Sequence, residues 1–115
     1  MFTDIHTVIF YVKDIEKSKD FYTEILGLKV VDDQGLYISF RGSENSGTVL
    51  AINAYGKEGQ FAGHQTVILR TKDIQNTYRE LMDKKITFTT ELIQQPWGWT
   101  FIFRDPDGNK IEVLE

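Results

Sequence analysis

Two short runs in which apolar and polar residues alternate each lead into a stretch with helical spacing. Along the first run Val8, Phe10 and Val12 share one side and Thr7, Ile9 and Tyr11 the other. Along the second, Val67, Leu69 and Thr71 oppose Thr66, Ile68 and Arg70. A period of two is that of a strand with one buried face. The sequence Val12-Lys13-Asp14-Ile15 returns as Thr71-Lys72-Asp73-Ile74, an offset of 59 residues. In each copy the Asp stands where a helix N-cap is wanted. Phe21, Ile25 and Leu28 then form a helical stripe with Tyr22 and Leu26 beside it, closed by Gly27. Ile74, Tyr78, Leu81 and Met82 form the matching stripe. Three strand-like runs follow each helix: 29–32, 36–41 and 48–53, then 86–93, 99–104 and 110–114. The pattern predicts an α+β fold of two βαβββ modules in tandem. One domain spans 1–115, with modules at 1–55 and 64–115. Helices cover one face of the strands, and the other face curls into a cleft.

Parity then sorts the side chains. Pro106 and Gly108 suit a tight turn between the last two strands. Beyond it Ile111 and Val113 share one face, so Glu112 points to the other. The 59-residue offset also carries Asn53 onto Glu112 and Ile52 onto Ile111. The expected quartet on the cleft wall is therefore Thr7, Asn53, Thr66 and Glu112.

Composition narrows the function classes. The 115 residues carry a net charge of −4 with a pI near 5.2, and no basic stripe is visible. Nucleic acid is therefore not the expected partner. The absence of Cys removes disulfides, thiol nucleophiles and thiolate metal sites. No signal-peptide pattern opens the chain and no apolar run reaches spanning length, so a cytoplasmic protein without membrane partners is expected.

The segments Asp14-Ile15-Glu16-Lys17-Ser18, Phe21-Tyr22, Leu26-Gly27-Leu28, Asp73-Ile74, Trp97-Gly98 and Asp105-Pro106-Asp107-Gly108-Asn109, in this order, resemble the glyoxalase, bleomycin-resistance and extradiol-dioxygenase superfamily, also called vicinal oxygen chelate proteins. The resemblance covers essentially the whole chain. It implies a homodimer and paired modules curled into an incomplete barrel. In the enzymes it implies one divalent metal, held by His or Gln on the first strand of each module and Glu on the last. At the matching positions this chain has Thr7, Asn53, Thr66 and Glu112, of which only Glu112 fits that pattern. Threonine hydroxyls and an amide are poor ligands for a transition metal.

The expectation is a protein that binds a planar small molecule in a dimeric cleft, with no cofactor. The alternative is a metal-dependent lyase, isomerase or dioxygenase of glyoxalase type, with one divalent ion on Glu112, His64 and Asn53. His64 has the parity of Thr66 and reaches the ligand position if a β-bulge moves it; otherwise it is a solvated histidine. His6 has the parity of Val8 and Phe10. If residues 95–101 are extended, Trp97 and Trp99 project to one side as a stacking surface, a dimer contact or ordinary sheet packing. Tyr11, Tyr37 and Phe40 are candidates for the remaining apolar wall. Arg70 is placed to pair a ligand anion or Glu112 itself. The Gly-rich segment 53–63 reads as a linker and as a mobile flap over the cleft. No catalytic residue is identified.

Overall fold

The computed structural model describes residues 1–44 and 47–115, with the backbone alone at 57–59. The chain divides into two compact units, Met1–Ala62 and Gly63–Glu115. The first is built from β1 (Thr7–Tyr11), α1 (Ile15–Asp20), β2 (Lys29–Asp33), β3 (Tyr37–Arg41) and β4 (Val49–Asn53), followed by a 3-10 helix at Gly56–Phe61. The second contains β5 (Thr66–Arg70), α2 (Ile74–Asp83), β6 (Phe88–Gln95), β7 (Gly98–Arg104) and β8 (Lys110–Leu114). The strand orders are β1-β4-β3-β2 and β5-β8-β7-β6. In each sheet the first and last strands of the unit run parallel and the other pairs antiparallel. This is βαβββ twice, as the residue pattern predicts.

Both helices start where the Asp-Ile repeat places them. The Asp14 carboxylate accepts from the Lys17 amide at 3.1 Å, and Asp73 accepts from Asn76 at 3.1 Å. Each cap satisfies a helix amide that has no partner inside the helix. The first helix then widens into a π-helical turn at Phe21–Ile25, closed by the Leu26 amide on the Phe21 carbonyl. Thr23 adds to the irregularity by donating its hydroxyl to the Lys19 carbonyl at 2.8 Å. Within this turn the consecutive aromatics Phe21 and Tyr22 are both buried. Tyr22 stacks on Phe40 with ring centroids 5.6 Å apart and meets Phe10 edge-on at 6.4 Å.

The second core forms around Ile74 and Leu81 of α2 and Phe101, Phe103, Ile111 and Val113 of the sheet. Tyr78 reaches Phe88 at 4.7 Å and Phe101 at 5.0 Å. Met82 is not part of the buried stripe: it is 51% exposed, leaving Ile74, Tyr78 and Leu81 to face the sheet.

Between β7 and β8 the chain makes a locked turn. Asp105 is buried and accepts from the amides of Asp107 at 2.9 Å and Asn109 at 2.8 Å. The fully buried Asn109 donates to Asp105 at 2.8 Å and accepts from the amides of Gly63 at 3.0 Å and Gln65 at 3.2 Å. Gly63 is required there on two counts. Its φ is +92°, and a Cβ would stand 2.6 Å from the Asp107 carbonyl oxygen.

The strand register corrects one expectation. β1 and β5 do correspond at an offset of 59 residues, Thr7 to Thr66. However, Thr7 lies opposite Val49 and Thr66 opposite Lys110. The last strands therefore correspond at an offset of 61, and Glu112 matches Ala51 rather than Asn53. The cause is the β6–β7 hairpin, whose strands have 8 and 7 residues where β2 and β3 have 5 each. A shift of two keeps parity, so Glu112 stays on its expected face.

Candidate functional site

In the second unit the sheet face away from α2 carries Thr66, Ile68 and Arg70 of β5, Lys110, Glu112 and Leu114 of β8, and Thr100 and Ile102 of β7. Cross-strand pairing sets Glu112 between Ile68 and Ile102. Thr100, itself buried, donates its hydroxyl to Glu112 Oε2 at 3.1 Å. Glu112 is half-buried, and its Oε1 has no partner among the described residues. Arg70 lies opposite Leu114 and is exposed. Among the described residues it makes no ion pair with Glu112, the pairing considered from sequence. The result is one carboxylate oxygen, fixed in direction by Thr100 and flanked by aliphatic side chains. Such a group accepts a hydrogen bond from a ligand N–H or O–H, and the apolar surroundings strengthen that bond. Sequence parity found Glu112 but missed Thr100. The signal was the Phe101 and Phe103 alternation, which puts Thr100 and Ile102 on the face of Glu112.

Both tryptophans fall elsewhere. Pro96 and Trp97 make the turn of the β6–β7 hairpin, so residues 95–101 are not one extended run. Trp97 is 65% exposed in that turn. Trp99 has the parity of Phe101 and Phe103 and so lies on the helix side of the sheet, opposite in face to Glu112. The expected projection of Trp97 and Trp99 to one side of a single extended run is therefore not formed.

In the first unit the face away from α1 carries Thr7, Ile9, Tyr11, Ala51, Asn53 and Tyr37. Tyr37 pairs directly with Asn53, which pairs on its other side with Tyr11. The Tyr11 ring lies 6.1 Å from Phe61 of the 3-10 helix, so this part of segment 53–63 is helical. Asn53 turns its side-chain oxygen to the Tyr55 amide at 2.8 Å. Phe40 is not on this face. It alternates with Ser39 and Arg41, packs on Tyr22 and belongs to the core, which removes it from the candidate wall.

The divalent ion implied by the resemblance does not fit the residues present. The matching positions are Thr7, Ala51, Thr66 and Glu112, which offer one carboxylate, two hydroxyls and a methyl. Thr7 is hydrogen-bonded to the His6 ring. His64 is exposed and precedes β5, whose pairing with β8 runs without a bulge from Thr66 to Arg70. Among the described residues no three His, Cys, Asp or Glu side chains are grouped closely enough to share an ion.

A family model described as Glyoxalase/Bleomycin resistance protein/Dioxygenase superfamily matches residues 4–113. The chain is similar to the "Uncharacterized protein YetH" of Bacillus subtilis (strain 168), 30% identical over 120 residues with all of both chains covered. It is also similar to a "Probable lactoylglutathione lyase" of Synechocystis sp. (strain ATCC 27184 / PCC 6803 / Kazusa), 29% identical across 96% of this chain and 93% of that one. Among solved structures it resembles TnmS3, described as an antibiotic binding protein from Streptomyces sp. CB03234. That likeness has a TM-score of 0.85 at 26% identity, over 97% of this chain and 94% of that one.

Proposed function

The chain belongs to the glyoxalase, bleomycin resistance protein and dioxygenase superfamily, and on that premise we propose that it binds a planar small molecule on the sheet face around Glu112, without metal chemistry. The observation that carries this reading is the half-buried Glu112 carboxylate, aimed by Thr100, with Oε1 left without a partner among the described residues. Ile68, Ile102 and Leu114 supply a flat aliphatic surface for an aromatic ring system, and Glu112 selects for a donor at its edge. The likeness to a structure described as an antibiotic binding protein supports a binding role. The likeness to a probable lactoylglutathione lyase raises the enzyme reading, but the threonines and alanine at the ligand positions weigh against it.

Calorimetric titration with proflavine, acridine and an anthraquinone sulfonate tests the proposal. Proflavine, whose amino groups donate, is expected to bind best. Glu112→Gln should weaken it by roughly tenfold or more, since a charge-assisted hydrogen bond becomes a neutral one. Added zinc, nickel or manganese should change nothing. Binding of all three compounds that is indifferent to Glu112→Gln, or that requires a metal, would refute the site.

The functional form is proposed to be a homodimer. Sedimentation should give a species of twice the 13.3 kDa chain mass at micromolar concentration. A single species at the chain mass would rule the dimer out.

A further inference from the structure

At the open end of the β2–β3 hairpin, away from its turn, Lys29 lies directly opposite Arg41. Directly opposed like charges repel across a strand pair, and this pair sits in a chain whose net charge is −4. Neither cation has an ion-pair partner among the described residues. The Nε atom of Arg41 is buried and has no acceptor among the described residues. Asp32, opposite Ser39 further along the same hairpin, takes a hydrogen bond from Gln34 at 2.7 Å instead of answering Arg41. Beside the two cations is an open surface depression of about 360 Å³ lined by Lys29, Val30, Val31, Arg41, Gly42 and Ser43. Val30 and Val31 are large apolar side chains left exposed there, and a Cβ built on Gly42 would meet nothing within 4 Å.

A buried guanidinium nitrogen without an acceptor among the described residues, a second cation across the strand pair and an open depression beside both favour an anion. We propose that this depression binds a small oxyanion, a carboxylate or phosphate group carried on a compact apolar body. The Arg41 fork would take two of its oxygens, the Lys29 ammonium would neutralise it, and Val30 and Val31 would pack the body. Bound there, the anion satisfies Arg41 Nε and turns the Lys29–Arg41 repulsion into shared attraction. This site lies within the first unit and is independent of the reading given to Glu112.

The test uses the full chain and two probes, inorganic phosphate and benzoate, at constant ionic strength set with chloride. Nuclear magnetic resonance should show saturable shifts of the Arg41 Nε–H and of the Val31, Gly42 and Ser43 amides, in the millimolar range or tighter. Saturation by phosphate alone would assign the site to phosphoryl groups, and by benzoate alone to carboxylates; either supports it. Arg41→Gln and Lys29→Gln should each weaken the effective probe roughly tenfold. Arg41→Lys should fall between, because it keeps the charge and loses the fork. As a check that does not depend on one variant's folding, the effective anion should raise the melting temperature of the parent more than that of Lys29→Gln. Shifts by neither probe, or shifts that persist unchanged in both Gln variants, would overturn the proposal.

Discussion

Replacing Asn109 by Ala is expected to lower stability by about 3–4 kcal/mol, one of the two largest losses foreseen for a single substitution in this chain. The side chain is fully buried and makes hydrogen bonds with Gly63, Gln65 and Asp105 that Ala cannot replace. Its removal takes the Asn109 acceptor from the Gly63 and Gln65 amides and the Asn109 donor from Asp105 Oδ2. Each such group pays its own desolvation cost, which exceeds the worth of a hydrogen bond exchanged with water. The turn it locks leads directly into β8, so the same change loosens the strand that carries Glu112. Urea unfolding should show the midpoint shifted with the slope unchanged. A loss below roughly 1 kcal/mol would mean that water reaches these amides and that the turn is held by Asp105 alone.

Tyr22→Ala should cost about 3–5 kcal/mol, the range for emptying a large aromatic from a core. The ring has no exposed surface and packs against Phe40 at 5.6 Å, Phe21 at 5.2 Å and Phe10 at 6.4 Å. Tyr22→Phe keeps those contacts and should lose much less, which separates packing from the hydroxyl. Equal losses from the two variants would contradict the assignment of Tyr22 to ring packing. Thermal unfolding of both proteins under one buffer decides the comparison.

What the sequence showed was local. Period-two alternation gave β1 and β5 and placed Glu112 on the face opposite Ile111 and Val113, and the Asp-Ile repeat gave both helix starts. Tyr37 and Phe40, three apart in one strand, could never share a face, and the Ile38–Phe40 alternation already pointed Phe40 into the core. Other features depend on pairing between strands, which no local pattern states. The correspondence of Glu112 with Ala51 instead of Asn53 followed from hairpin lengths. The separation of Trp97 from Trp99 followed from the turn at Pro96 and Trp97. Lys29 and Arg41 are twelve residues apart in the chain, and only the β2–β3 register brings them opposite each other. The π-helical turn was also hidden, because its apolar positions satisfy an α-helical stripe almost as well.

The most direct test of the binding site is amide shift mapping of isotope-labelled protein during a proflavine titration in the presence of a chelator. Saturable shifts are expected at Ile68, Thr100, Ile102 and Glu112, with little change at Trp97 and Trp99, and their loss in Glu112→Gln. Shifts centred on the Trp97 turn, or shifts at Glu112 that vanish when the chelator removes metal, would contradict it.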